Sequence, residues 1–224
     1  ITAMFPIQEF ADDKFLFFVT RQGIAKRIVL SDLQNIRRAG LRALNLNEDD
    51  ALVDVRLTDG EQNILIATHE GKAICFDENE VRAMGRVATG VRGIKLAEGA
   101  RVAAFNVVPA GKVAWTYEEG ENGLTSGSGA VVLTVAGDSD ALPGTENGAA
   151  KVTPLEMYPT KGRATGGVRS QRFLKGQNTL ILAWVGLYPL HASTSAGSPV
   201  ELPKPDMRRD GSGVDLASPI AFIA

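Results

Sequence analysis

Residues 82–96 read RAMGRVATGVRGIKL, and residues 158–176 read YPTKGRATGGVRSQRFLKG. In both, a loop holding an Arg leads into Gly-Val-Arg, at Gly90 and at Gly167. After each Gly, apolar and polar residues alternate as they do in a half-buried strand. A turn glycine lies upstream at the same distance in both: Gly71 to Gly90 is 19 residues, and Gly148 to Gly167 is 19. Turn and strand signals recurring at a fixed interval mark a chain built from copies of one supersecondary unit.

Working outward, residues 15–20 (FLFFVT) precede Arg-Gln-Gly23, and residues 64–68 (ILIAT) precede His-Glu-Gly71. Each is an apolar strand, a Thr and a turn closed by Gly. A second short strand follows, at 24–29 and at 72–76, and then the Gly-led segment, at 40–46 (GLRALNL) and at 90–96. A closing strand ends each copy, at 51–57 and at 101–107. A third copy runs from residues 130–135 (AVVLTV) through Asn147-Gly148 and Gly167 to residues 180–185. A weaker fourth copy opens near Leu190, with Thr194-Ser-Ala-Gly197 at its turn and residues 220–223 at its close. Residues 4–10 match only a closing strand.

These signals predict an all-β, propeller-like disc of about four-stranded blades at roughly 45–60 residues each. The approximate blades are 11–60, 61–111, 128–186 and 187–224, with 1–10 as the closing strand of an upstream blade. Residues 117–129, rich in Gly, Glu and Ser, are expected to form a linker, and 138–147 an expanded hairpin tip tolerated on the surface.

The 224 residues carry 24 basic and 26 acidic side chains, for a net charge of −2, and 44% are apolar. That balance argues against an overall basic nucleic-acid binder, so any contact with a polyanion has to come from a local patch. Fifteen of the 24 cations are Arg, the side chain suited to bidentate phosphate contacts. Cys75 is the single cysteine, which leaves no internal disulfide and suits a reducing cytosol. No run approaches the ~20 apolar residues of a membrane span. The chain opens on Ile1 with no basic n-region, which reads as part of a longer protein rather than a signal peptide.

Arg at equivalent places is the main chemical signal. Arg42, Arg92 and Arg169 each lie two residues after the repeat Gly, and Arg86 and Arg163 lie four before it. Arg37 and Arg38 take about that place in the first copy, and Lys161 and Arg172 flank it in the third. On a disc, matched positions fall on one rim, where an arc of cations can follow a bent duplex and neutralise successive phosphates. The adjacent glycines would let backbone N–H groups approach a phosphate. Lys26, Arg27 and Lys151 follow turn glycines and either extend this patch or pair with strand neighbours. His69 and His191 are the only histidines, and with Cys75 they make no metal set. No P-loop, nucleophile elbow or dinucleotide fingerprint is present.

The stretches 20–27 (TRQGIAKR), 82–96 and 158–176 closely resemble the C-terminal domain of the A subunits of bacterial type II topoisomerases, gyrase and topoisomerase IV. The resemblance covers nearly the whole chain. Residues 84–93 (MGRVATGVRG) are specific to the family, and residues 161–172 resemble its actinobacterial members. It implies a β-pinwheel whose blades exchange strands, and a non-catalytic domain that binds and bends double-stranded DNA around a basic rim. The partners it implies are the rest of the A polypeptide and an ATPase B subunit, joined in an A2B2 enzyme of the bacterial cytoplasm. ATP and Mg²⁺ would act elsewhere in that holoenzyme and no cofactor here. Tyr117, Tyr158 and Tyr188 match none of the DNA-cleavage motif. The sequence departs from gyrases in holding no Gln-Arg-Arg-Gly-Gly-Lys-Gly box, of which Ile36-Arg-Arg-Ala-Gly40 is a faint echo. Either the box lies upstream or the protein is of the topoisomerase IV kind; the expanded third unit and Pro199, Pro203 and Pro205 lean to the latter. An Arg-rimmed propeller that meets an acidic protein is the alternative.

Overall fold

A computed structural model describes residues 3–119, 125–142 and 144–224. Its strands are β1 (Phe15–Thr20), β2 (Ile24–Val29), β3 (Leu52–Thr58), β4 (Gln62–Thr68), β5 (Lys72–Asp77), β6 (Val91–Arg92), β7 (Val102–Pro109) and β8 (Thr116–Glu119). There follow β9 (Thr125–Gly137), β10 (Ala149–Pro154), β11 (Val168–Arg169), β12 (Thr179–Tyr188), β13 (Ala192–Ser193), β14 (Pro199–Val200), β15 (Val214–Asp215) and β16 (Phe222–Ile223). Short 3-10 turns at Leu30–Leu33, Glu78–Glu80 and Leu155–Met157 close the second strand of the first three units.

The sheets run β3-β1-β2-β6, β7-β4-β5-β11, β12-β9-β10-β15 and β16-β13-β14, with all pairs antiparallel. In each of the first three, the strand on the second hairpin strand comes from the next repeat: β6 joins β2, β11 joins β5 and β15 joins β10. The fold is therefore the strand-exchanged pinwheel. The exchanged segments were expected to be long strands over 90–96 and 167–173, but each contributes only two ladder residues. The first copy, 40–46, joins no ladder, because no sheet of a preceding repeat is among the described residues. Ala43 and Leu44 instead lie against Phe18, Ile28 and Val55 on the outer face of the first sheet. Residues 4–10 form no strand either, and Ala3 and Phe5 rest on that same cluster.

Strands buried on both faces explain the continuous apolar runs. Along β4, Ile64 and Ile66 enter a core shared with Phe17, Val19 and Ala25 of the first sheet, while Leu65 and Ala67 enter another shared with Ala130 and Val132 of the third. Along β9, Val131, Leu133 and Val135 face a further core with Val200 and Leu216. The period of two thus glues each sheet to both neighbours.

Where a linker was expected over 117–129, β8 pairs with the first residues of β9 from Thr116↔Ser128 to Glu119↔Thr125. Trp115 anchors this hairpin. It is buried, packs on Tyr188 at 5.7 Å, and lies where any Cβ on Gly127 would collide with its ring. Loop-like composition misled here because the absent side chains of Gly127 and Gly129 are what admit Trp115 and the Ala114 carbonyl.

Among the described residues, no exchanged strand joins the fourth sheet. The turn Thr194–Gly197 closes as Thr20–Gly23 and Thr68–Gly71 do, which puts Pro199 at the position of Ala25 and Ala73. Those alanines pair with the incoming Val91 and Val168. Pro199 has no N–H for such a bond, and β14 is an edge.

Candidate nucleic-acid interface

β7 packs against both β3 and β12, so these first-edge strands converge inside the disc. The opposite edges, β6, β11 and β15, form its outer perimeter. Arg92 lies on β6 facing Ile24, Arg169 on β11 facing Lys72, and Asp215 on β15 facing Ala149. Arg92, Arg169, Lys72 and Asp215 are all exposed. Arg37, Arg38, Arg42, Arg86, Lys161 and Arg172 are exposed too. Among the described residues, these arginine and lysine side chains make neither hydrogen bond nor ion pair. Exposed guanidinium groups with free donors on a perimeter can take phosphate oxygens.

Two further exposed cations, Lys72 and Lys95, were not singled out by the sequence motifs. Lys95 is exposed and stands five residues after Gly90, as Arg172 stands five after Gly167, so the repeat itself carried that signal. Lys72 becomes visible only through the β5–β11 register.

Four expected contacts are corrected. Lys26, Arg27 and Lys151 lie in the interior, with 0%, 7% and 3% exposure. The Lys26 ammonium donates to the carbonyls of Ala43, Arg86 and Ala88 at 2.8, 2.7 and 2.6 Å. The Lys151 ammonium donates to Thr153 Oγ1 and the Arg209 carbonyl, both at 2.6 Å, and to the Arg208 carbonyl at 3.3 Å. Burial lowers both lysines from their ordinary value, Lys151 to about 8. Arg27 stacks on Phe15 at 4.0 Å, donates to Asn79 Oδ1 at 2.8 Å and lies 3.6 Å from the buried Glu78 carboxylate. These cations cannot reach a phosphate outside the disc. For Lys26 and Lys151, the hydrogen-bonded carbonyls offset part of the desolvation that burial imposes.

The fourth correction is Arg163, which is half-buried. It donates to the carbonyls of Glu80 and Arg92, both at 2.9 Å. It is a strap between units that leaves the neighbouring Arg92 side chain free. The glycines have a structural task as well. A Cβ on Gly90 would lie 2.7 Å from the Ala25 carbonyl, and one on Gly167 2.5 Å from that of Ala73. Both close approaches admit the exchanged strand, where a phosphate had been expected.

Among the described residues, no group of His, Cys, Asp and Glu could hold a metal and no helix is long and apolar enough to cross a membrane. A family model described as "DNA gyrase C-terminal domain, beta-propeller" matches residues 14–59, 62–109 and 144–181, more than half of the chain. The chain belongs to this family. The three matched stretches of the DNA gyrase C-terminal domain fall within the first three repeats, the third beginning after β9, while residues 187–224, with Pro199 and Asp215, lie outside them.

The DNA gyrase A protein of Haemophilus influenzae is 36% identical over 184 residues, covering 82% of this chain and 21% of that protein. Its Staphylococcus aureus counterpart is 32% identical over 214 residues, 94% of this chain and 21% of its own length. The chain thus spans about a fifth of these relatives. Among solved structures, the C-terminal domain of DNA topoisomerase IV superposes with a TM-score of 0.74 at 24% identity, covering 98% of this chain and 64% of that one. The DNA gyrase A C-terminal domain gives 0.66 at 17% identity, with 97% and 67% covered. At these identities the likeness establishes the fold.

Proposed function

We propose that this domain binds duplex DNA along the β6–β11 perimeter, bends it, and presents it to the strand-passage machinery of an ATP-dependent type II topoisomerase in the bacterial cytoplasm. The observation that carries the proposal is the set of exposed, unpaired cations at repeat-matched places, led by Arg92 and Arg169 on successive outer strands. Membership of the gyrase family agrees with it. The domain's part is non-catalytic. Tyr158 is buried with its hydroxyl raised above the ordinary range, Tyr117 donates to Met207 Sδ and Tyr188 packs on Trp115, so none is poised as a nucleophile. The catalytic tyrosine, the ATP and Mg²⁺ sites and the ATPase B subunit belong to the remainder of an A2B2 enzyme.

The test is end-to-end energy transfer on duplexes of about 10 and about 40 base pairs, roughly one and four helical turns, titrated with the 224-residue chain across a salt series. Wrapping requires tighter binding of the long duplex, approach of its ends, and a fall of log affinity with log salt of about 0.9 per neutralised phosphate. Absence of binding to either duplex at low salt would transfer the rim to an acidic protein partner.

A further inference from the structure

The cross-strand pair at the outer edge changes charge from sheet to sheet. It is Ile24 with Arg92 on the first sheet, Lys72 with Arg169 on the second, and Ala149 with Asp215 on the third. The formal charges are +1, +2 and −1. The middle pair is unfavourable in the free protein. Ser170 N–H donates to the Gly71 carbonyl at 2.8 Å, which makes Lys72 and Arg169 the adjacent, non-hydrogen-bonded pair of the ladder. Side chains of such a pair stand close on one face, and like charges there repel. Neither has an ion-pair partner among the described residues.

The third edge is the reverse. Its matched loop arginine is spent internally: Arg209 donates to the carbonyls of Arg169 and Met157, while Arg208, itself exposed, pairs with Asp206 at 3.1 Å. The exposed charges in that segment include Lys204, Arg208 of the Arg208–Asp206 pair, Asp210 and Asp215, and the matched edge position itself carries the carboxylate of Asp215.

Resting on the DNA reading above, we propose that the phosphate track is uneven: Lys72 and Arg169 jointly seat one phosphate at its strongest point, and Asp215 ends the track at the third sheet. An anion between the two cations removes their repulsion. An aspartate at the next matched place turns a phosphate away.

The test is salt-dependent binding of an about 40-base-pair duplex to the 224-residue chain, with a hydroxyl-radical footprint. Lys72→Ala and Arg169→Ala should each weaken binding about tenfold. Because they share a phosphate, the double variant should flatten the salt slope by about one rather than two. Asp215→Arg should tighten binding, steepen the slope by about one and lengthen the footprint, with Asp215→Asn between it and the parent. Additive losses with a slope change of two would overturn the shared seat. Parent-like footprints for both Asp215 variants would overturn the end of the track. Both failures occur with the parent still bound to DNA; loss of binding by the parent itself defeats the underlying reading as well.

Discussion

Arg163 Nη1 donates to the Arg92 carbonyl at 2.9 Å, and one repeat later Arg209 Nε donates to the Arg169 carbonyl at 3.0 Å. Each guanidinium also reaches the end of the preceding unit's 3-10 turn, at Glu80 and at Met157. The straps therefore bind each repeat to the sheet that its exchanged strand completes. Arg163→Ala and Arg209→Ala should each cost about 1–3 kcal/mol, as expected where carbonyls lose charged donors. Arg92→Ala and Arg169→Ala, whose side chains point outward, should stay within about 0.5 kcal/mol. Urea unfolding distinguishes the two classes.

Gly90 has φ of +109° and Gly167 of +70°, with a carbonyl in the way of any Cβ, whereas Gly40 at +80° has nothing within 4 Å. Alanine at Gly90 or Gly167 should cost more than about 3 kcal/mol, since both strain and collision apply. At Gly40 only the left-handed conformation is penalised, by about 1–2 kcal/mol. Equal losses at Gly40 and Gly90 in thermal unfolding would show that strand docking is not what these glycines serve.

Lys151 has an ordinary value of 10.5 and is held near 8 by burial in the folded protein. Below pH 8 both folded and unfolded forms carry the proton, and the folded state bears the full cost of burying it. Between about 8 and 10.5 the unfolded chain keeps a proton that the folded state has released, so this residue's contribution to stability improves as pH rises. The gain is at most about 3 kcal/mol. Cys75 and Tyr158, raised by burial, act in the opposite direction in alkali. The readout is therefore the stability difference between the parent and Lys151→Met. That difference should move in the parent's favour between pH 7 and 10, and a flat difference would contradict it.

Burial pushes the Cys75 thiol up to about 11, and the side chain is 2% exposed. Because the thiolate is the reacting form, alkylation by iodoacetamide at pH 8 should be undetectable in the folded chain and complete in urea. Rapid labelling without denaturant would show that the second sheet opens readily.

Much of this architecture is local and so was legible in the residues. Apolar runs such as FLFFVT, turn glycines at Gly23 and Gly71, and the recurring Gly-Val-Arg specify hairpins and a repeat, because side-chain period and turn conformation depend on near neighbours. The exposed arginines at matched places, Arg92 and Arg169 among them, follow from the same arithmetic.

Only the tertiary structure decided which sheet each Gly-Val-Arg strand joins, since pairing between residues as distant as Ala73 and Val168 is not encoded in either segment alone. That pairing then sets the fate of the cations. Lys26 and Lys151 look like surface lysines beside turn glycines, yet the loop of the next repeat folds over them and presents carbonyls to their ammonium groups. Lys72, directly after a turn glycine, becomes the partner of Arg169 for the same reason. In a strand-exchanged repeat, whether a charge faces solvent or the interior is settled by what arrives from the neighbouring copy.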